Sequence, residues 1–240
     1  MGNTFNNMGI VHSKKGNIDK ALGYLRRSVE IKEEIGDKRG MGHSLSSIGN
    51  VHFKKGNIDK ALDFFRRSLK TSEEIGDKRA MGVTLTSIGI VDYNQGKKDT
   101  ALDYFRRSLK IREEIGDKRG IGANLSFMGR VNQSRGDYEK ALDCYGRSLK
   151  IQEEIGDMRG MRYTLSNMGR MNQDRGNYEK ALDYYDRSLK IQEEIGDMRG
   201  MASICRDLGW LYYLMGKYEK SIQNYDRELS IRSDLNDNKG

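Results

Sequence analysis

The sequence predicts an all-α solenoid, six helix-turn-helix repeats stacked in a row. Three observations carry this. The 240 residues repeat themselves every 40 without an insertion, as Ile-Gly-Asp at 35–37, 75–77, 115–117, 155–157 and 195–197 shows. Apolar residues fall at helical spacing, and the alternation of a strand is absent. Proline is absent, and most of the 28 glycines recur at fixed places in the repeat, where they punctuate helices.

The repeat 41–80 shows how each element arises. Leu45, Ile48 and Val51 mark the apolar stripe of a first helix, and Gly56-Asn57 breaks it. Asn57 is a good N-cap residue, as are Asn17, Asp137 and Asn177 in the same column. A second helix follows, with Ile58, Ala61, Leu62, Phe65 and Leu69 on its buried face. It stops at Ile75-Gly76, where glycine can take the left-handed conformation. Asp77 then caps the next first helix, as Asp37, Asp117, Asp157 and Asp197 do elsewhere. Two short helices cannot bury their apolar faces alone, whereas stacked pairs can. The column Gly9, Gly49, Gly89, Gly129, Gly169 and Gly209 lets paired helices approach, against Ala21, Ala61, Ala101, Ala141, Ala181 and Ser221.

Composition excludes several classes. Charged residues make up 32% and mean hydropathy is -0.80, and no apolar run approaches the roughly 20 residues of a spanning helix. Two cysteines, Cys144 and Cys205, make no disulfide framework, and with three histidines no zinc spacing arises. With no signal-like start, a cytoplasmic protein is expected. The net charge of +8 lies wholly in the first three repeats (+3, +3 and +2), and the last three are each neutral. An acidic partner would be drawn to the first half.

These columns resemble the tetratricopeptide repeat, whose pattern is W-x2-L-G-x2-Y, then A-x3-F. Here it reads Leu45-x2-Ile48-Gly49-x2-His52, then Ala61-x3-Phe65, and the other five repeats match in phase. The tyrosine column departs, holding His12, His52, Asp92, Asn132, Asn172 and Tyr212, and the closing proline is missing. Six extra residues per repeat lengthen the helices. The longer repeat is similar to arrays in Pins/LGN-type adaptors and to bacterial and archaeal arrays found alone or attached to signalling enzymes. The resemblance implies a right-handed superhelix, residues 1–240 forming one domain of repeats 1–40, 41–80, 81–120, 121–160, 161–200 and 201–240, with first helices lining the concave side. The first repeat lacks the Asp-Lys-Arg-Gly opening, and Asp237-Asn238-Lys239-Gly240 is in phase to start a seventh. The sequence therefore reads as a fragment of a longer array. The more divergent, polar sixth repeat suits a terminal position, which puts the missing neighbour on the N-terminal side.

No phosphate loop, nucleophile motif or metal spacing appears, so neither catalysis nor a cofactor is expected. Cys144 and Cys205 fall in packing columns. The Glu-Glu pairs at 33–34, 73–74, 113–114, 153–154 and 193–194 recur in five repeats, as a solvated face paired with Lys or Arg one turn away does. The recurrent Arg39, Arg79, Arg119, Arg159 and Arg199 are expected to bridge repeats through a nearby Glu or carbonyl.

The informative residues vary while the core columns stay fixed. On the first helices the outward face offers Asn6, His43, Asn50, Phe53, Lys54, Tyr93, Arg130, Gln133, Tyr163, Arg170, Gln173, Arg206, Trp210 and Tyr213. Arg130 with Gln133, and Arg170 with Gln173, are forks suited to carboxylates or main-chain carbonyls. Trp210 and Tyr213 are aromatic anchors if exposed. The carboxylate clamp of chaperone-binding relatives maps onto Ser126, Arg130, Asn167, Ser203 and Asp207. Asp207 has the wrong sign, so a chaperone co-factor role is not implied. The leading expectation is a non-catalytic scaffold binding a protein or peptide segment in the groove. The alternatives are a ligand- or peptide-sensing segment of a larger signalling protein and, less favoured, RNA binding through Lys14, Lys15, Lys54, Lys55, Lys97 and Lys98. No membrane partner is expected, and the open ends of such an array are surfaces for end-to-end self-association.

Overall fold

A computed structural model describes residues 1–237, with side chains through Leu235. The expected start of a seventh repeat at 238–240 lies outside them. Twelve helices alternate with tight turns: α1 (Gly2–Lys14), α2 (Ile18–Glu34), α3 (Lys38–Lys54), α4 (Ile58–Glu74), α5 (Lys78–Asn94), α6 (Lys98–Glu114), α7 (Lys118–Ser134), α8 (Tyr138–Glu154), α9 (Met158–Asp174), α10 (Tyr178–Glu194), α11 (Met198–Leu214) and α12 (Tyr218–Asp237). No strand occurs among the described residues, so the chain is an all-α array of six helix pairs. They form two compact halves, Met1–Phe127 and a second beginning at Met128, and the division falls within α7.

Both kinds of turn use glycine at positive φ, as at Gly56 (φ 80) and Gly76 (φ 66). The next residue's N–H then reaches back to close the helix end, Asn57 to the His52 carbonyl and Asp77 to the Ser72 carbonyl, each at 2.9 Å. The two helix starts differ. The Asp37, Asp77, Asp117, Asp157 and Asp197 carboxylates accept the N–H three residues on, at 2.9–3.3 Å. Asn17, Asn57, Asp137 and Asn177 occupy the N-cap position as expected, but their side chains make no capping bond. Their helices instead carry an acid in the first turn (Asp19, Asp59, Glu139, Glu179), which balances the positive helix end. The first helices with capping Asp have none there.

Packing follows the columns. A Cβ on Gly49 would lie 2.7 Å from Phe65 Cε1, and Gly89 and Gly209 stand likewise against Phe105 and Tyr225. The glycine column therefore admits the ring four residues after the alanine, and the alanines themselves are fully buried. In the N-terminal half, Leu22 and Leu25 of α2 join Ile48 and Val51 of α3, and Leu62 and Phe65 of α4 join Ile88 and Val91 of α5. In the C-terminal half, Ala181 and Tyr185 of α10 join Ile204, Leu208 and Leu211 of α11. In these pairs the second helix is thus covered by the next first helix.

The polar tyrosine column acquires a physical account. His52, buried, stacks on Phe64 at 5.4 Å, and His12 stacks on Tyr24 at 5.2 Å. The Asn132 amide donates to Cys144 Sγ at 3.8 Å and the Asn172 amide to the Met168 carbonyl at 2.8 Å. Cys144 and Cys205 are both buried free thiols; burial raises the Cys205 pKa. A serine column went unread in the sequence. Ser28, Ser68 and Ser108 donate to the carbonyls of Gly2, Gly42 and Gly82 at 2.7–2.8 Å, which pins the paired helices together. Two charge readings need correction. Glu74 and Glu114 pair with Lys38 and Lys78 on the partner helix, and Glu153 and Glu193 with Arg187 and Arg227 of the following second helix. None of these salt-bridge partners is one turn away, although Lys78 and, one turn before Glu114, Lys110 both lower that carboxylate's pKa. Arg39 bridges to the capping Asp77 at 2.9 Å, an aspartate in place of the expected Glu or carbonyl.

Candidate functional site

In the N-terminal half, α3 touches both α1 and α5, so three first helices share a face. A cavity of about 380 Å³ opens there, lined by Asn6 and Ile10 of α1, His43, Ser46 and Asn50 of α3, and Arg79 and Val83 of α5. Three of the sequence candidates, Asn6, His43 and Asn50, therefore meet in one place. Beneath it runs a buried polar chain. Lys32 donates to the Gly40 carbonyl and to Ser44 Oγ, both at 3.1 Å, and Ser44 Oγ donates to Asn6 Oδ1 at 3.2 Å. Burial lowers the Lys32 pKa, and the nearby Asp37 carboxylate opposes that. Phe53 is half-buried against the Leu62–Ile88 cluster and does not line the cavity. Lys54 is exposed and Tyr93 half-buried.

The C-terminal half carries the remaining candidates. The Arg130 guanidinium donates to the Tyr163 hydroxyl. Gln133 Nε2 donates to Asp174 at 2.9 Å, and its Oε1 accepts from Tyr145 Oη at 3.0 Å. Gln173 Oε1 likewise accepts from Tyr185 Oη at 3.3 Å. Arg170 places Nε and Nη2 on Asp207 Oδ2 at 3.1 and 2.7 Å. Burial disfavours this guanidinium's charge, but Asp207 more than restores it, and its pKa is raised. Burial and Asp207 together push the Tyr185 phenol upward. These arginines and glutamines thus stitch neighbouring first helices to one another and to core tyrosines. The tyrosine hydroxyls were missed in the sequence. Their signal is that Tyr145 and Tyr185 accompany Gln133 and Gln173 in the same two repeats, where Leu25, Phe65 and Phe105 accompany Ser13, Phe53 and Tyr93.

Two features of this half face outward or lack a partner. Trp210 is 47% exposed and stacks on Tyr213 at 5.2 Å, with exposed Arg206 one turn before it. Asn167 is only 6% exposed, yet its Nδ2 has no hydrogen-bond partner. It shares a face of α9 with Tyr163 and Arg170, four residues before and three after. A buried amide without its bond costs roughly 1–3 kcal/mol. No group of acidic, His or Cys side chains suited to a metal ion occurs among the described residues, and no described helix is long and apolar enough to cross a membrane.

The model of the tetratricopeptide repeat matches residues 1–74, 41–114, 80–154 and 160–234. No curated protein sequence matches the chain. Among solved structures, BtubC (BKLC) from P. vanneervenii is 18% identical with a TM-score of 0.79, over 91% of this chain and 92% of that one. A Rap protein solved in complex with competence and sporulation factor is 16% identical with a TM-score of 0.72, over 97% of this chain and 75% of that one. A signal transduction ATPase with a tetratricopeptide repeat sensor, from Pyrococcus horikoshii, is 20% identical with a TM-score of 0.76; the match covers 91% of this chain but 34% of the ATPase. At these identities the likeness is one of fold.

Proposed function

The chain belongs to the tetratricopeptide repeat family, and from that premise we propose that it is a non-catalytic scaffold whose first-helix face holds an extended peptide segment of a partner. The observation that carries this is Asn167. A side-chain amide can pair with a backbone peptide group, donating through Nδ2 and accepting through Oδ1, and here the donor is buried without a partner. A peptide main chain on the α9 face supplies that acceptor once the buried Asn167 side chain turns outward to meet it. Trp210 and Tyr213 supply apolar contact on α11 in the same half. The Rap structure with competence and sporulation factor, and another Rap regulator solved with the Phr* peptide, are consistent with peptide ligands for such a fold.

The test is to pan a random peptide library against the chain and measure the enriched peptides on Asn167→Ala. Trp210 is the sole tryptophan, so its fluorescence reports occupancy of this half. Affinity should fall about tenfold, the loss of roughly 1.4 kcal/mol, with the melting temperature unchanged or higher. Peptides that bind the variant as well as the wild type, or no enrichment at all, would contradict the reading.

A second reading rests on the N-terminal cavity: a sensor segment that takes up a small ligand or short peptide there. Its size and its mix of Asn6, His43 and Arg79 with Ile10 and Val83 fit a small polar-apolar molecule. Ligands selected by thermal shift that still bind Val83→Trp, which fills the cavity, would exclude it.

A further inference from the structure

Asp77 caps α5 and also accepts the Arg39 guanidinium at 2.9 Å, a pairing between repeats. The same columns set Arg79 opposite Asp117 at the next junction. There the aspartate is already taken. Arg112 Nη1 donates to Asp117 Oδ2 at 2.5 Å, and Arg112 Nε donates to Ser108 Oγ at 3.1 Å. One junction earlier the residue in the Arg112 column is Ser72, which donates to the Ser68 carbonyl at 2.9 Å and leaves Asp77 to Arg39. The first turn of the next helix follows this exchange. A Cβ on Gly120 would overlap Arg112 Nη1, whereas the short Ser72 goes with Ala80 in that position.

Arg79 therefore enters no ion pair or hydrogen bond among the described residues, and it lines the N-terminal cavity of about 380 Å³. No aspartate or glutamate lines that cavity, and Arg79 is the one permanently charged side chain in its lining. Ile10, Ala80 and Val83 give it an aliphatic wall. An unpaired guanidinium matches a carboxylate in a two-point pair. One fixed charge balances a monoanion, and the aliphatic wall suits a short hydrocarbon chain better than a second charge. We propose that this cavity binds a small aliphatic carboxylic acid as its anion, with Arg79 holding the carboxylate and Ile10 and Val83 the chain. This rests on the sensor reading of the cavity and adds the class of its ligand. Arg112 is a positioning residue: by occupying Asp117 it keeps Arg79 available.

Chemical-shift titration of the isotope-labelled chain at neutral pH tests this with isovalerate, and with isovaleramide as the neutral isostere. Isovalerate should shift the amides of His43, Ala80 and Val83 with a Kd on the order of 1 mM. Isovaleramide should bind about tenfold more weakly, and Arg79→Gln should weaken isovalerate by about the same factor. Arg112→Gln, the residue this column carries at 152 and 192, leaves the cavity lining untouched. It should weaken isovalerate as much as Arg79→Gln does, because Asp117 then turns to Arg79. Adding Asp117→Asn, which can still cap α7, should restore binding. Isovalerate that shifts nothing, or Arg79→Gln binding it as the wild type does, would overturn the proposal. Arg112→Gln binding unchanged, or staying weak after Asp117→Asn, would overturn the role given to Arg112. Acid and amide binding alike, both lost in Val83→Trp, would overturn the carboxylate and leave the cavity a site. Isovalerate binding retained in Val83→Trp would overturn the sensor reading itself.

Discussion

Glycine has opposite values at different positions in this chain. At Gly49 a methyl group would press on the Phe65 ring at 2.7 Å. Gly49→Ala is therefore expected to destabilise by about 1–3 kcal/mol. Gly23 and Gly146, inside α2 and α8, meet nothing within 4 Å, so alanine there should stabilise by about 0.5–1 kcal/mol. Urea denaturation checks both signs, and a neutral Gly49→Ala would show that the close approach is not needed. His52 gives a second expectation. Burial, then the charges of Lys60, Arg26 and Lys55, hold its pKa below the usual value, and its Nδ1 has no partner. As pH falls through about 6.5 the unfolded chain takes up the proton first, so stability falls with pH until the folded state titrates too. His52→Asn, the residue this column carries at 132 and 172, should flatten the melting temperature between about pH 7 and 5. A slope as steep as wild type would rule out this residue as its source.

At the scale of the element, the two helix starts make different demands. Asp77 accepts the Ala80 N–H at 3.1 Å and the Arg39 guanidinium at 2.9 Å. Asp77→Ala should cost about 1 kcal/mol or more, and Asn57→Ala clearly less, because Asn57 makes no side-chain cap. Equal losses in thermal melts would contradict that distinction. The helices and turns were legible in the sequence because glycine at the left-handed position and aspartate after it are local signals. Asn57 holds the N-cap position without the bond: residue type permits a capping bond but does not require it, and this helix start carries Asp59 in its first turn. The groove candidates were legible as positions, since Asn6, His43 and Asn50 do meet in one cavity. Their partners were not. Arg170 turns to Asp207 and Gln133 to Asp174, contacts between repeats, and Gln133 also meets Tyr145 on the paired helix of its own repeat; spacing within one helix specifies none of them. The side chains of Tyr145 and Tyr185 are core and fully buried, yet a tyrosine carries its polar atom at the far tip, and there the two hydroxyls meet Gln133 and Gln173.

At the scale of the molecule, helices within each half pack on their neighbours in sequence, with α1 on α3 and α3 on α5 as further contacts of the N-terminal half. Stability in such an array is carried by junctions between adjacent helices, and the ends have one junction fewer. Opening should therefore begin at α1 and α12, whose apolar faces stand exposed, at a free energy below that of global unfolding. Amide hydrogen exchange on the 240-residue chain, at a concentration where it is monomeric, tests this neighbour-only packing most directly. Protection should rise and fall every 20 residues, dip at the positive-φ glycines, and decline toward both ends. A single uniform rate along the chain, or terminal helices as protected as α3 to α5, would contradict it.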